Sequence, residues 1–101
     1  MTVYAIVQLE ITDRQSYDQY QAKFWSVFKK FEGRLLVSDE NPEVIEGEWN
    51  KDKIVVISFP NEESFRNWMT SPDYIEIAKH RYLGTTASII LAEEFRLDSV
   101  R

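Results

Sequence analysis

Phe59-Pro60-Asn61-Glu62-Glu63 and, further on, Ser71-Pro72-Asp73-Tyr74 mark the turning point of this chain. Residues 53–59 read as a buried strand, and Pro60 stops its ladder because it has no N–H to donate. Asn61 can cap a helix, with Glu62 and Glu63 in the first turn where carboxylates meet the positive helix end. That helix carries Phe65, Trp68 and Met69 and breaks at Ser71-Pro72, a good cap followed by a good first helical residue. The new segment extends to about Leu83 and ends at Gly84. Residues 87–96 form a last strand.

Upstream of that turning point, Glu46-Gly47-Glu48-Trp49 closes a hairpin. Leu35-Leu36-Val37 is a strand, Ser38 to Glu43 a polar turn containing Asn41-Pro42, and Val44-Ile45 a short strand running into the hairpin. Residues 50–52 turn the chain into the buried strand. At the start, residues 3–11 alternate: Val3, Ala5, Val7, Leu9 and Ile11 are apolar, and Gln8 and Glu10 face the other way. Thr12 and Gln15 have the spacing of a capping box, with Asp13 adding a favourable charge. The helix that follows runs to about Phe31, with Tyr17, Tyr20, Phe24, Val27, Phe28 and Phe31 on one aromatic stripe. Gly33 sits where a left-handed C-cap is expected.

The resulting order, βαββαβ, is the ferredoxin-like α+β arrangement: an antiparallel four-stranded sheet with two helices, the second one broken, on one face. Alternation assigns Val7, Leu9, Leu35, Val37, Val55, Ile57, Phe59, Ile89 and Leu91 to the helix side. Tyr4, Ile6, Gln8, Glu10, Leu36, Ser38, Ile54, Val56, Ser58, Ser88, Ile90 and Ala92 fall on the opposite side. That second face is too apolar to leave in water. It is also too polar for a dry core, where each polar group needs a partner. A second copy stacked sheet against sheet, a dimeric α/β barrel with a partly polar cavity, resolves both problems.

Composition bounds the rest. A chain of 101 residues makes one domain, residues 1–101, and the 44% hydrophobic and 14% aromatic fractions suit a packed globule. The net charge of −5 repels phosphate backbones and anionic bilayers, and no basic cluster alternates with aromatics, so neither nucleic acid nor membrane is an expected partner. With no Cys, thiolate metal sites, disulfides and a Cys nucleophile are excluded. Val3 to Val7 is too short for a membrane span and lacks the basic start of a signal peptide, so a soluble cytoplasmic protein is expected.

An ordered set of residues resembles a known family, the small dimeric α/β-barrel proteins catalogued as domain of unknown function number 1330. The set comprises Asp13, Tyr17, Tyr20, Gly33-Arg34, Glu46-Gly47-Glu48-Trp49, Ile57-Ser58-Phe59-Pro60, Trp68, Ser71-Pro72-Asp73-Tyr74 and Arg81. Glu32-Gly33 in place of two glycines, and Met69 in place of an aromatic, depart from the family's habit. The resemblance implies kinship with dimeric α+β barrels, among them cofactor-independent monooxygenases, haem-degrading enzymes and muconolactone-isomerase-type proteins. It carries no agreed activity.

Tyr17, Tyr20, Trp68, Tyr74 and Arg81 are the ligand-binding candidates. Phenol, indole and guanidinium groups converging near one sheet end suit a planar or anionic ligand, by stacking and bidentate hydrogen bonding. The plainer alternative is an aromatic core with its polar tips satisfied locally. If the chain is an enzyme, Arg81 is the candidate anion anchor, Tyr17, Tyr20 or Tyr74 the proton donor and Trp68 the pocket wall. Glu46 is the candidate base, turned inward towards Arg81 or Arg34. Asp39, Glu40, Glu43 and Glu48 read as a solvated acidic turn without calcium-loop spacing. His80, the lone histidine, excludes multi-histidine metal sites and reads as an exposed residue near a helix end. By analogy with the haem-degrading relatives, Gln8, Trp68 and His80 form a remote haem-site reading. No phosphate loop, nucleophile elbow or triad is present, and neither cofactor nor metal is expected. Two function classes remain: a binder of a small organic acid or aromatic metabolite, extending to a cofactor-independent enzyme, and a non-catalytic structural or regulatory homodimer.

Overall fold

Alternation in the first strand is realised to the residue: β1 spans Val3–Ile11, with Val3, Ala5, Val7 and Leu9 buried. The chain continues through α1 (Arg14–Phe28), β2 (Arg34–Asp39), β3 (Lys53–Phe59), α2 (Glu62–Met69), α3 (Pro72–Gly84) and β4 (Thr85–Glu93). The computed structural model describes residues 1–97, and residues 98–101 of the expected domain lie outside the described residues. The sheet is antiparallel in the order β2-β3-β1-β4. The architecture is the α+β ferredoxin-like one, with its second helix broken into α2 and α3.

Helix ends follow their caps. Asn61 accepts a hydrogen bond from the Ser64 amide at 2.8 Å, as expected of the residue that starts α2. Ser71 links the two halves of the broken helix: its hydroxyl donates to the Trp68 carbonyl at 2.9 Å and accepts from the Tyr74 amide at 3.1 Å. The start of α1 differs from the expected capping box, because Asp13 and not Thr12 is the cap. One Asp13 carboxylate oxygen accepts from the Gln15 and Ser16 amides and the other from the Ser16 hydroxyl. A carboxylate serves several donors at once and gains from the helix dipole. The Thr12 amide is engaged elsewhere, donating to the Gly84 carbonyl at 2.8 Å.

Three further expectations are corrected. First, α1 ends at Phe28, and Gly33 is no left-handed cap; among the described residues only Gly47 has positive φ, at 84°. Gly33 is there for space, since a Cβ would lie 2.5 Å from Phe28 Cζ and 2.8 Å from Phe59 Cε1. Second, Val44-Ile45 forms no strand. The whole stretch from 40 to 52 is irregular, with Ile45 84% exposed. Its ends are pinned instead, by a 2.7 Å ion pair from Arg14 to Glu40 and by Asp52, which bonds both Leu9 and Ile11. Third, β4 starts at Thr85, two residues early, because the backbone passes straight from α3 into pairing with Ile11.

The face assignment holds except in β2, where a bulge between Leu35 and Val37 inserts an extra residue. Leu35 pairs with Ile57 on the helix side, but beyond the bulge Val37 pairs with Val56 and Ser38 with Val55. One inserted residue inverts the faces of everything after it. Val37 therefore lies on the open face and Ser38 beneath the helices, the reverse of the alternation-based expectation. On the open face this completes a row of β-branched side chains across all four strands, Ile90-Ile6-Val56-Val37.

Beneath the helices the core is aromatic. Phe28 meets Phe59 edge-on at 6.0 Å and Trp68 at 5.3 Å, and Phe59 meets Phe65 at 5.7 Å. Such tilted pairs add to the burial of large apolar area.

Candidate functional site

Between α1, the broken second helix and the sheet lies a cavity of about 160 Å³. Helical spacing supplies its walls: Tyr17, Tyr20 and Phe24 project from one stripe of α1, and Tyr74 and Arg81, seven residues apart, from one face of α3. Trp68 comes from α2, and β3 contributes Lys53 from the first of its inward positions. Tyr17, Tyr20, Trp68, Tyr74 and Arg81 thus surround a single cavity. Glu46 is not among its lining residues; it is exposed, in the irregular stretch, and lines a separate shallow groove with Trp49. The expected inward turn of Glu46 towards Arg81 does not occur.

The polar groups form two clusters. In the first, Arg81 Nε donates to the Tyr74 hydroxyl at 3.3 Å, and that hydroxyl is 3.2 Å from the Tyr20 hydroxyl. Either phenol can donate to the other, but these two bonds use one N–H and one O–H. One phenolic hydrogen is left without a protein acceptor in both cases. Beside it, the Trp68 ring sits 4.2 Å from that of Tyr74, and its indole Nε1–H is buried with no partner. A buried donor left unpaired costs about 1–3 kcal/mol.

The second cluster centres on Lys53, only 4% exposed. Its ammonium donates to Gln21 Oε1 at 2.8 Å, lies 4.8 Å from the Tyr17 ring centre and approaches Glu40 to 3.9 Å. Burial pulls the Lys53 amine below its ordinary range despite Glu40. The Glu40 carboxylate is already held by Arg14, whose hydrogen bonds keep it below the usual carboxylate range. Burial pushes the Tyr17 phenol up to about 12 and the Tyr20 phenol well above its usual value. Both are therefore un-ionised donors at neutral pH. Among the described residues, two buried cations and no carboxylate line the cavity, so its field favours a negative guest.

Lys53, Gln21 and Ser38 were missed from sequence alone. The available signal for Lys53 was its odd position in a strand whose odd residues Val55, Ile57 and Phe59 all point inward. Ser38 was hidden by the bulge. The haem-type trio does not assemble: Gln8 lies on the open sheet face, opposite Ile54 and Ser88, while Trp68 lies under the helices. His80, half-buried and not fully exposed as expected, is not among the residues lining the cavity. Among the described residues no cluster of His, Cys, Asp or Glu is arranged to hold a metal, and no helix is long and apolar enough to cross a membrane.

A family model described as "Domain of unknown function (DUF1330)" matches residues 2–95. The chain belongs to the DUF1330 family. No curated protein matches it. Its fold is shared with a protein of unknown function from Rhodopseudomonas palustris, at TM-score 0.80 and 15% identity over 94% of this chain and 83% of that one. SnoaB, a cofactor-independent oxygenase from Streptomyces nogalater, superposes at TM-score 0.68 with 13% identity over 94% of each chain. A dimeric ferredoxin-like protein of unknown function from Thermobifida fusca YX does so at TM-score 0.65 and 16% identity, over 92% of each chain. At these identities the likeness is one of fold, and it places this DUF1330 chain among ferredoxin-like α+β proteins, some of them dimeric.

Proposed function

We propose that this DUF1330 protein binds a small organic acid or aromatic metabolite in the cavity between helices and sheet. One observation carries the proposal: the residues lining the cavity include two hydrogen-bond donors with no protein acceptor, the Trp68 indole and one hydroxyl of the Tyr20–Tyr74 pair. A packed core rarely leaves such donors unpaired. A planar guest with oxygen acceptors would satisfy both, stack on the aromatic walls and be drawn in by Arg81 and Lys53. The un-ionised phenols and the depressed amine are proton-transfer groups, and SnoaB is a cofactor-independent oxygenase on the same fold. These features support a cofactor-independent enzyme as the fuller form of the proposal. The candidate roles are Arg81 as anion anchor and a tyrosine as proton donor.

A thermal-shift screen with small aromatic and aliphatic acids is the test. A ligand at about a hundred times its Kd adds about 2.7 kcal/mol, a rise of about ten degrees or more in a domain of this size. Trp68→Phe removes the unpaired N–H while keeping a ring. It is expected to weaken a hit about tenfold, the value of one hydrogen bond to a charged acceptor. A broad library with no hit removes the proposal.

The protein is further proposed to be a cytoplasmic homodimer, pairing through its open sheet face. There Ile90 is 60% exposed and Val37 39%, at the two ends of the β-branched row. Light scattering at micromolar concentration is expected to give twice the 12.0 kDa chain mass. A clean monomer would return the open face to water and remove this part. In the alternative class, a non-catalytic dimer, the same side chains only lock helices together. It leaves the two orphaned donors without an explanation.

A further inference from the structure

We infer that Lys53 is an imine-forming amine, and that the cavity takes aromatic or unsaturated acids bearing an aldehyde or ketone. The inference rests on the binding proposal above and names the substrate class of that site. It starts from a juxtaposition: a buried amine over the Tyr17 ring, and Tyr20 of the phenol pair stacked against that same ring. Lys53 Nζ is 4.8 Å from the Tyr17 ring centre, and the Tyr20 ring stacks on Tyr17 at 5.9 Å.

Lys53 is the one amine among the described lining residues, and the only lysine of the chain that is buried. Lys23, Lys29, Lys30 and Lys79 are exposed, and Lys51 is partly so. The partner 2.8 Å from Lys53 is a neutral carboxamide, Gln21. Glu40 pairs with Lys53 at 3.9 Å while both Glu40 oxygens also accept from Arg14, and Asp18 adds only a weaker attraction. A buried ammonium whose counter-ion is shared with an arginine is a state that burial disfavours, and a desolvated lysine is the usual form of a carbonyl-reactive amine.

The chemistry balances without an oxidant or reductant. The neutral amine adds its lone pair to the carbonyl carbon, and the C–O π pair moves to oxygen, which takes a proton. Nitrogen loses a proton to give the carbinolamine. Nitrogen then expels the hydroxyl as water while C=N forms, so amine plus carbonyl gives imine plus one water. The Tyr17 phenol, un-ionised to about pH 12, is a proton donor beside the amine.

The test uses 4-carboxybenzaldehyde as probe, with sodium cyanoborohydride to reduce any imine and peptide mapping by mass spectrometry. Lys53 is expected to gain the carboxybenzyl group about tenfold faster than any other lysine, because burial favours the neutral, nucleophilic form of its amine. Labelling should saturate with aldehyde and slow with 4-hydroxybenzoate, which has no aldehyde or ketone to react. Lys53→Arg keeps the charge but cannot form an imine, and should lose the fast label. Label spread over the five other lysines with Lys53 spared overturns the inference. If 4-hydroxybenzoate stabilises the wild-type protein and Lys53 is still spared, the binding proposal stands and the imine falls. If neither occurs, both fall. Should Lys53→Arg not fold, the wild-type map alone decides.

Discussion

Phe28→Ala is expected to bring the domain close to unfolding at room temperature. Phe28 is 1% exposed and its ring meets Phe24, Trp25, Phe59 and Trp68. Truncating a buried Phe costs about 3–5 kcal/mol, because transfer energy and ring contacts are lost and the space is only partly refilled. Collapse is hard here, since two neighbours, Phe59 and Trp68, are held by a strand and a capped helix. Against a total stability of about 5–15 kcal/mol, that loss is about a fifth of the whole or more. At about 4–8 °C per kcal/mol for a domain of this size, the melting temperature falls by well over ten degrees. Urea unfolding followed by tryptophan fluorescence measures the effect. A loss below about 1 kcal/mol, the scale of a surface change, would contradict the aromatic core.

Gly84→Ala is expected to cost about 3 kcal/mol, at the top of the usual range for overpacking or beyond it. An added Cβ would stand 2.7 Å from the Tyr17 amide nitrogen and 2.8 Å from the Asp13 carbonyl oxygen. Both are backbone atoms and cannot swing aside as a side chain can. The Gly84 carbonyl also accepts from the Thr12 and Asp13 amides, so the α3 end and the α1 start cannot part without breaking those bonds. Gly47→Ala is the control. No atom lies within 4 Å of its would-be Cβ, but its φ of 84° is left-handed and costs about 1 kcal/mol or more for alanine. Denaturant unfolding of both variants should separate them by about 2 kcal/mol. Equal costs would mean that the helix ends are not in close approach. Because Tyr17 lies directly beneath, Gly84→Ala should also weaken any ligand of the cavity.

Much of the fold was legible in the sequence because the signals were local and mutually consistent. β1 is given by strict alternation, and α2 and α3 by Asn61 and Ser71-Pro72, whose side chains act on amides three residues away. The misses share a cause: each depended on a partner distant in sequence. Thr12 is a plausible cap until its amide is seen bonded to Gly84. Gly33 is a plausible C-cap until Phe28 and Phe59 are seen to fill the space where a side chain would sit. Val44-Ile45 has β propensity but no strand beside it to pair with.

The site divides in the same way. Five aromatic and guanidinium candidates at helical spacing converge on the cavity. Lys53, although it opens a strand read as buried, was passed over because lysine is almost never buried without a partner, and its partner Gln21 lies 32 residues away. Glu46 was expected inward because it precedes a glycine, yet the left-handed turn at Gly47 leaves it exposed.

The bulge in β2 couples two surfaces that otherwise evolve apart. With Leu36 as the supernumerary residue, Ser38 faces the cavity and Val37 the outer sheet. Flattening the bulge with every residue kept would exchange the two, placing a hydroxyl outside and a branched hydrocarbon within, while the rows anchored on β1 stay unchanged; deleting Leu36 would leave both on their present faces. Descendants of this chain can therefore retune guest and neighbour preference in one mutational step at an edge, without touching the core. A substitution that closes the bulge between Leu35 and Val37 would be felt on both surfaces at once.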